Sequence, residues 1–184
     1  MNKNLTSLRA MFMAALFVTS LVIPFSAGHA SSLSDRYRNM SISLPDDPEA
    51  IFESARIVHN ITVDGEKGMR VHAKFRVNYG KGVSCRMIAY FFYDDTDNSP
   101  LVASSDADYR AYRTDKGNVS ASNRFTPAYD PAVYNDLQLF VPYNALNMES
   151  GDTYDLKFYL SLYDNEGQRF FGKSGWYKFK LNMP

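Results

Sequence analysis

The segments "DDTDNS" (Asp94–Ser99) and "SDAD" (Ser105–Asp108) place Asp94, Asp95, Asp97, Asp106 and Asp108 within a short span of chain. Hard oxygen ligands offered by neighbouring loops are what Ca²⁺ takes. The spacing lacks the Gly and the late Glu of the twelve-residue EF-hand loop. Asp and Asn are also ordinary turn residues. Two expectations follow for these five carboxylates: a Ca²⁺ site, or turns alone.

Other chemistry has less to work with. The only histidines after the first thirty residues are His59 and His72. With alternating side chains they fall on opposite faces, so they do not share a tetrahedral Zn²⁺. The single cysteine, Cys85, forms no internal disulfide and reads as a small buried residue with an inert thiol. A Cys85–His59 pair is the reactive alternative. No Gly-x-Ser-x-Gly elbow occurs, since "GKSGW" has one glycine misplaced, and no Gly-rich phosphate loop is present. Glycoside hydrolysis needs two carboxylates whose separation is spatial. Glu49, Glu53, Glu66, Glu149 and Glu166 read as loop-like or terminal residues. A small hydrolase with an unrecognised carboxylate site therefore stays an alternative.

Two patterns concern binding rather than reaction. Tyr109, Tyr112, Tyr129 and Tyr134, with Tyr143 and Tyr163, gather in or near connections. A tyrosine has an apolar body and a polar tip, so it can stack on a sugar ring or anchor a protein partner. Packing at the edge of a sheet is the plainer use. In "MRVHAKFRVNYG", Arg70, His72, Lys74 and Arg76 occupy every second position. Such a ladder either grips an anionic surface or is the wet face of a strand, with long stems covering apolar neighbours. Asp64, Glu66, Asp94 and Asp95 crowd one end and oppose an anion there, which favours the wet face.

The elements that must carry these residues have a period of two from Ala55 onward. Ile57, His59, Ile61 and Val63 alternate with Val58, Asn60 and Thr62. Met69, Val71, Ala73, Phe75, Val77 and Tyr79 form one apolar row; Val83, Cys85, Met87, Ala89, Phe91 and Tyr93 form another. Each is a strand with a buried face. Pairing Val63 with Met69 and Tyr79 with Val83 keeps the rows together, and predicts a three-stranded antiparallel meander. In that register Arg70 lies beside Phe92, His72 beside Tyr90, Lys74 beside Ile88 and Arg76 beside Arg86. Further strands are expected near Tyr109–Arg113, Asn118–Phe125, Asp136–Pro142, Tyr154–Tyr163 and Arg169–Leu181, with "DNEG" as a turn. About eight strands and no strand–helix–strand rhythm predict an all-β, two-layer antiparallel β-sandwich, C2-like or immunoglobulin-like, over residues 55–184. Residues 31–54 read as a flexible arm. In it "DPEAIFES" is a helical turn with Asp47 as N-cap and Pro48 at the first helical position.

The first thirty residues have the three parts of a secretory signal peptide: Lys3 and Arg9, the apolar stretch Ala10–Phe25, then small residues ending in Ala30. Thr19, Ser20 and Pro24 interrupt the apolar stretch, and no integral membrane segment is expected after cleavage. A secreted or periplasmic address follows. The chain of 184 residues carries 20 basic and 20 acidic side chains. Removing Lys3 and Arg9 leaves 18 basic against 20 acidic, a net charge near −2. A nearly neutral domain has no global field to concentrate nucleic acid. About 154 residues suffice for one domain whose apolar core replaces disulfides.

"YNDLQLFVPYNAL", Tyr134–Leu146, followed by Gly151, Tyr154, Leu156, Lys157, Phe158, Leu160, Leu162, Asp164 and Gly167, resembles a stretch of small C2-like β-sandwich modules in exported bacterial proteins. The likeness spans about residues 100–171. It implies the fold and export, with no catalytic motif and no calcium ligand carried over. The resulting expectation is a secreted, non-catalytic binding or interaction module with a protein or carbohydrate partner. A calcium-assisted binder of carbohydrate or membrane surface through the Asp-rich loops is one alternative, and the small hydrolase is the other.

Overall fold

The structure, a computed structural model, describes residues 47–184. The expected signal peptide (1–30) and the first part of the expected arm (31–46) lie outside the described residues. Eight strands form two antiparallel sheets: β1 (Glu49–Val63), β2 (Glu66–Asn78), β3 (Cys85–Tyr93), β4 (Ser120–Phe125), β5 (Ala132–Pro142), β6 (Thr153–Asp164), β7 (Arg169–Lys173) and β8 (Tyr177–Asn182). The smaller sheet has the order β1-β2-β5. The larger runs β4-β3-β6-β7, with β8 also on β6. This is the all-β two-layer sandwich that the alternating pattern predicts.

The apolar rows face inward as expected. Met69, Val71, Phe75 and Val77 of β2 are fully buried, as are Cys85, Met87 and Ala89 of β3 and Leu156, Leu160 and Leu162 of β6. Each large apolar side chain so buried contributes roughly 1.5–3 kcal/mol. The rings of Phe75, Phe125 and Tyr134 interlock near one end of the core, with centroids 4.9–5.6 Å apart. Those of Phe91, Phe158 and Phe179 do so further along.

The meander is only half realised. β1 and β2 do form a hairpin, but through the two-residue turn Asp64–Gly65, with φ of 49° and 84°. Asp-Gly supports a tight turn with two positive φ values, so Val63 pairs with Glu66 rather than Met69. The remaining register comes from shifts after Phe52 and Val58. At the second shift Asn60 has φ 58°, and its N–H donates to the buried Tyr143 hydroxyl, 3.0 Å. The predicted β2–β3 hairpin does not form. After Gly80–Val83, where Val83 N donates to Gly80 O, the chain crosses to the other sheet. β5 takes the free edge of β2, from Gly68↔Pro142 to Val77↔Ala132. The β2 and β3 rows therefore meet face to face across the core. Arg70, His72 and Arg76 lie opposite Phe140, Gln138 and Val133, not beside Phe92, Tyr90 and Arg86.

Two local expectations are corrected. Glu49–Ser54 is the start of β1, not a helical turn. Ala50 pairs with Val77 and Phe52 with Phe75, and Gly172 of β7 leaves room for Ala50, since a Cβ there would lie 2.3 Å from the Ala50 Cβ. Asp47 caps nothing and instead accepts from the two terminal nitrogens of the Arg169 guanidinium, at 2.7 and 2.8 Å. The strand expected at Tyr109–Arg113 is a 3-10 helix, Ala107–Tyr112, whose N-cap Asp106 accepts from Asp108 N. β7 and β8 follow one another along the same edge of β6. Between them Ser174 exchanges hydrogen bonds with Leu160, its N–H to Leu160 O and its hydroxyl oxygen accepting from Leu160 N.

Candidate functional site

The basic ladder of β2 is a half-buried face: Arg76 Nε is buried without a hydrogen-bond partner among the described residues, while Lys74 and His72 meet acids. Lys74 Nζ sits 2.7 Å from a Glu53 oxygen on β1. His72 Nδ1 sits 2.6 Å from Asp136 on β5. Hydrogen bonds from Gln138 and His72 hold the Asp136 carboxyl below its usual range.

The five carboxylates do not converge. Among the described residues, no group of three or more His, Cys, Asp or Glu side chains could hold a metal ion. Asp94 is already met by lysines: Lys178 Nζ at 2.9 Å and Lys157 Nζ at 3.6 Å. The Lys178 hydrogen bond, with help from Lys157, lowers its pKa. Lys157 Nζ also donates to the Asp95 carbonyl, 2.9 Å, and the Asp95 carboxylate accepts from Ser99 N, 3.0 Å. Asp97 is exposed at the tip of that loop, and Asp106 and Asp108 belong to the separate 3-10 helix. The built-in cation of the Asp94–Ser99 loop is thus an ammonium.

The four tyrosines singled out from the sequence also scatter. The Tyr109 hydroxyl donates to Glu66, which accepts from Asn144 as well. Tyr112 packs against the core. Tyr134 stacks on Phe75 at 4.9 Å. Tyr129 stands alone, three-quarters exposed. Cys85 is buried and its pKa is pushed up to about 11, mainly by desolvation with Asp164 adding to it. His59 packs against Phe179, which touches Phe91, six residues along β3 from Cys85.

The aromatic site lies elsewhere, on the outer face of the larger sheet. Side chains of β3 alternate, so Arg86, Ile88, Tyr90 and Phe92 point away from the core while Cys85, Met87, Ala89 and Phe91 enter it. On β6 the outward row is Lys157, Tyr159, Ser161 and Tyr163, paired in register with Phe92, Tyr90, Ile88 and Arg86. Cross-strand pairing brings the Tyr90 and Tyr159 rings to 5.2 Å and the Phe92 and Tyr159 rings to 5.7 Å. Trp176, from the break between β7 and β8, meets Phe92 and Tyr159 edge-on at 5.1 and 5.2 Å.

The Tyr90, Phe92 and Tyr159 rings floor a cleft of about 880 Å³. One wall is the Thr114–Asn118 segment. Its place is fixed by the Thr114 N to Asn118 O bond and by the Val102–Asn118 and Arg113–Val119 bridges. The other wall is β7, with Phe170, Gly172 and Lys173. Lys173 Nζ lies 4.3 Å from the centre of the Tyr159 ring. Burial raises the pKa of both Tyr90 and Tyr159, so their hydroxyls stay protonated at neutral pH. A mid-sized apolar concavity with a few convergent polar groups is the usual form of a ligand site. Its sequence signal is that "CRMIAYFFY" is apolar or aromatic on both faces, more than a half-buried strand needs. The expected β2–β3 pairing covers Tyr90 and Phe92 with the cationic stems of β2; the observed pairing with β6 leaves them open.

No protein-family model matches the chain, and no curated protein is significantly similar to it.

Proposed function

We propose that the domain is a non-catalytic binding module whose ligand is a carbohydrate held in the aromatic cleft of the larger sheet. The observation that carries this reading is the Tyr90–Tyr159–Phe92 floor between walls bearing Thr114, Asp115, Asn118 and Lys173. A sugar presents apolar C–H patches and hydroxyl edges, which suit aromatic surface beneath and hydrogen-bonding groups at the rim. Asp115 is the one carboxylate among the described lining residues, whereas glycoside hydrolysis uses two; this supports binding without turnover. The export-like leader of residues 1–30, and the likeness of about residues 100–171 to C2-like modules of exported proteins, belong to the same proposal and support an address outside the cytoplasm. No helix among the described residues is long and apolar enough to cross a membrane.

The test is binding of the full chain to a panel of immobilised polysaccharides, followed by Tyr90→Ala and Tyr159→Ala. Each variant is expected to weaken binding by roughly tenfold, or about 1.4 kcal/mol. Tyr129→Ala, at a lone exposed ring, should leave it unchanged. No retention on any glycan, or retention indifferent to the two cleft tyrosines, overturns the reading.

A further inference from the structure

The outer face of the larger sheet carries, beside the cleft, a pair of like charges. Arg86 of β3 and Arg124 of β4 are direct cross-strand partners, and such pairs are destabilising. Among the described residues neither makes an ion pair with a carboxylate: the bridges found join other side chains. The Arg86 Nε is buried and has no hydrogen-bond partner. Among the described residues Arg86 is thus a guanidinium without a carboxylate partner, set next to a second guanidinium.

Arg86 lies on the strand that carries the cleft floor. Arg86, Ile88 and Tyr90 lie on the same face of one strand, so Arg86 is about 14 Å from Tyr90 along β3. That is the reach of a few sugar residues. Lys116 and Lys173 line the cleft itself, against one carboxylate, Asp115. Aromatic floor and unmatched cations therefore follow one track across the sheet. A guanidinium takes a carboxylate through two parallel N–H···O bonds, which an ammonium does not.

Resting on the carbohydrate reading above, we infer that the ligand is an acidic polysaccharide of the uronate class, its rings in the Tyr90–Tyr159 cleft and a carboxylate on the Arg86–Arg124 pair. An anion between the two arginines relieves their repulsion. The protein as a whole is nearly neutral, so this recognition is local and does not extend to any polyanion.

The test compares polygalacturonate and alginate with fully methyl-esterified polygalacturonate, which keeps the backbone and loses the charge. Affinity of the full chain is measured by calorimetry at two salt concentrations. At least one uronate should bind tenfold or more tighter than the ester, with the difference shrinking at high salt as screening grows. Arg86→Gln and Arg124→Gln should each cost about five- to tenfold on the acidic chain and nothing on the neutral one. Because each removes a like-charge contact, thermal unfolding should be unchanged or shifted upward, which guards against a misfolded variant. Equal affinity for ester and acid overturns this inference and leaves the carbohydrate reading standing. So does acid binding indifferent to both arginines, or dextran sulfate bound as tightly as the uronates. Binding to none of these or other glycans overturns both.

Discussion

A lysine with its ammonium drawn out of water is costly unless acceptors meet it, and Lys157 has them. Its side chain is 7% exposed, its Nζ reaches the Asp95 carbonyl and the Asp94 carboxylate, and the Trp176 ring lies 5.2 Å away. One side chain thereby ties the Asp94–Ser99 loop to β6. Lys157→Met, similar in length, should lower stability by about 1–3 kcal/mol in urea unfolding, because it removes the part-buried hydrogen bond to the Asp95 carbonyl and one of the two ammoniums on Asp94. Lys178, the other partner of Asp94, is 70% exposed, and Lys178→Met should cost less than about 1 kcal/mol. Equal losses would mean that burial does not set the value of this contact. The lysine in "YDLKFYLSLYD" is visible in the sequence as a charge in an apolar strand. Its acceptors are not, because they lie more than sixty residues away.

At the scale of elements, the closest approach in the smaller sheet is set by Gly68. A Cβ at that position would lie 2.2 Å from the Val141 carbonyl oxygen and 2.8 Å from the Phe140 ring. Backbone cannot move aside as the end of a flexible side chain can. Gly68→Ala should therefore push β5 off β2 and cost about 1–3 kcal/mol. Gly175→Ala, with nothing within 4 Å, should stay within about 0.5 kcal/mol of the parent. Melting temperatures of the two variants decide it, and a harmless Gly68→Ala would mean that the β2–β5 contact is slack. The strand rows themselves are legible in the chain, since alternation fixes which side chains are buried. Neighbours are not, since β3 beside β2 and β3 opposite β2 bury the same residues.

For the whole molecule, acid should act in two stages. Burial lowers the pKa of His59 below its ordinary 6.5, so the folded protein resists a proton that the unfolded chain accepts. Stability is full above about 6.5 and falls as pH drops toward the folded value. Asp47, Asp94 and Asp136 have pKa values held below the ordinary 3.8, chiefly by hydrogen bonds from Arg169, Lys178 and Gln138 respectively. Their contribution is present above the unfolded value and is lost as pH falls through the folded ones. Melting temperature should thus decline gently below pH 6.5 and again below about pH 4. His59→Leu should flatten the first decline and leave the second; a first decline untouched in that variant would rule out His59 as its source.

The chain by itself determines that this is an all-β sandwich, which faces of its strands are oily, and that Cys85 lies in the core. Those follow from a period of two, a local property that any partner arrangement must respect. Tertiary structure alone decided which strands pair, that the Asp94 carboxylate and the Asp95 carbonyl serve lysines, and that Tyr90, Phe92, Tyr159 and Trp176 gather into one aromatic surface. Those depend on contacts between segments tens of residues apart, whose register is fixed by bulges, a two-residue turn and the competition of β5 for an edge that β3 could also have filled.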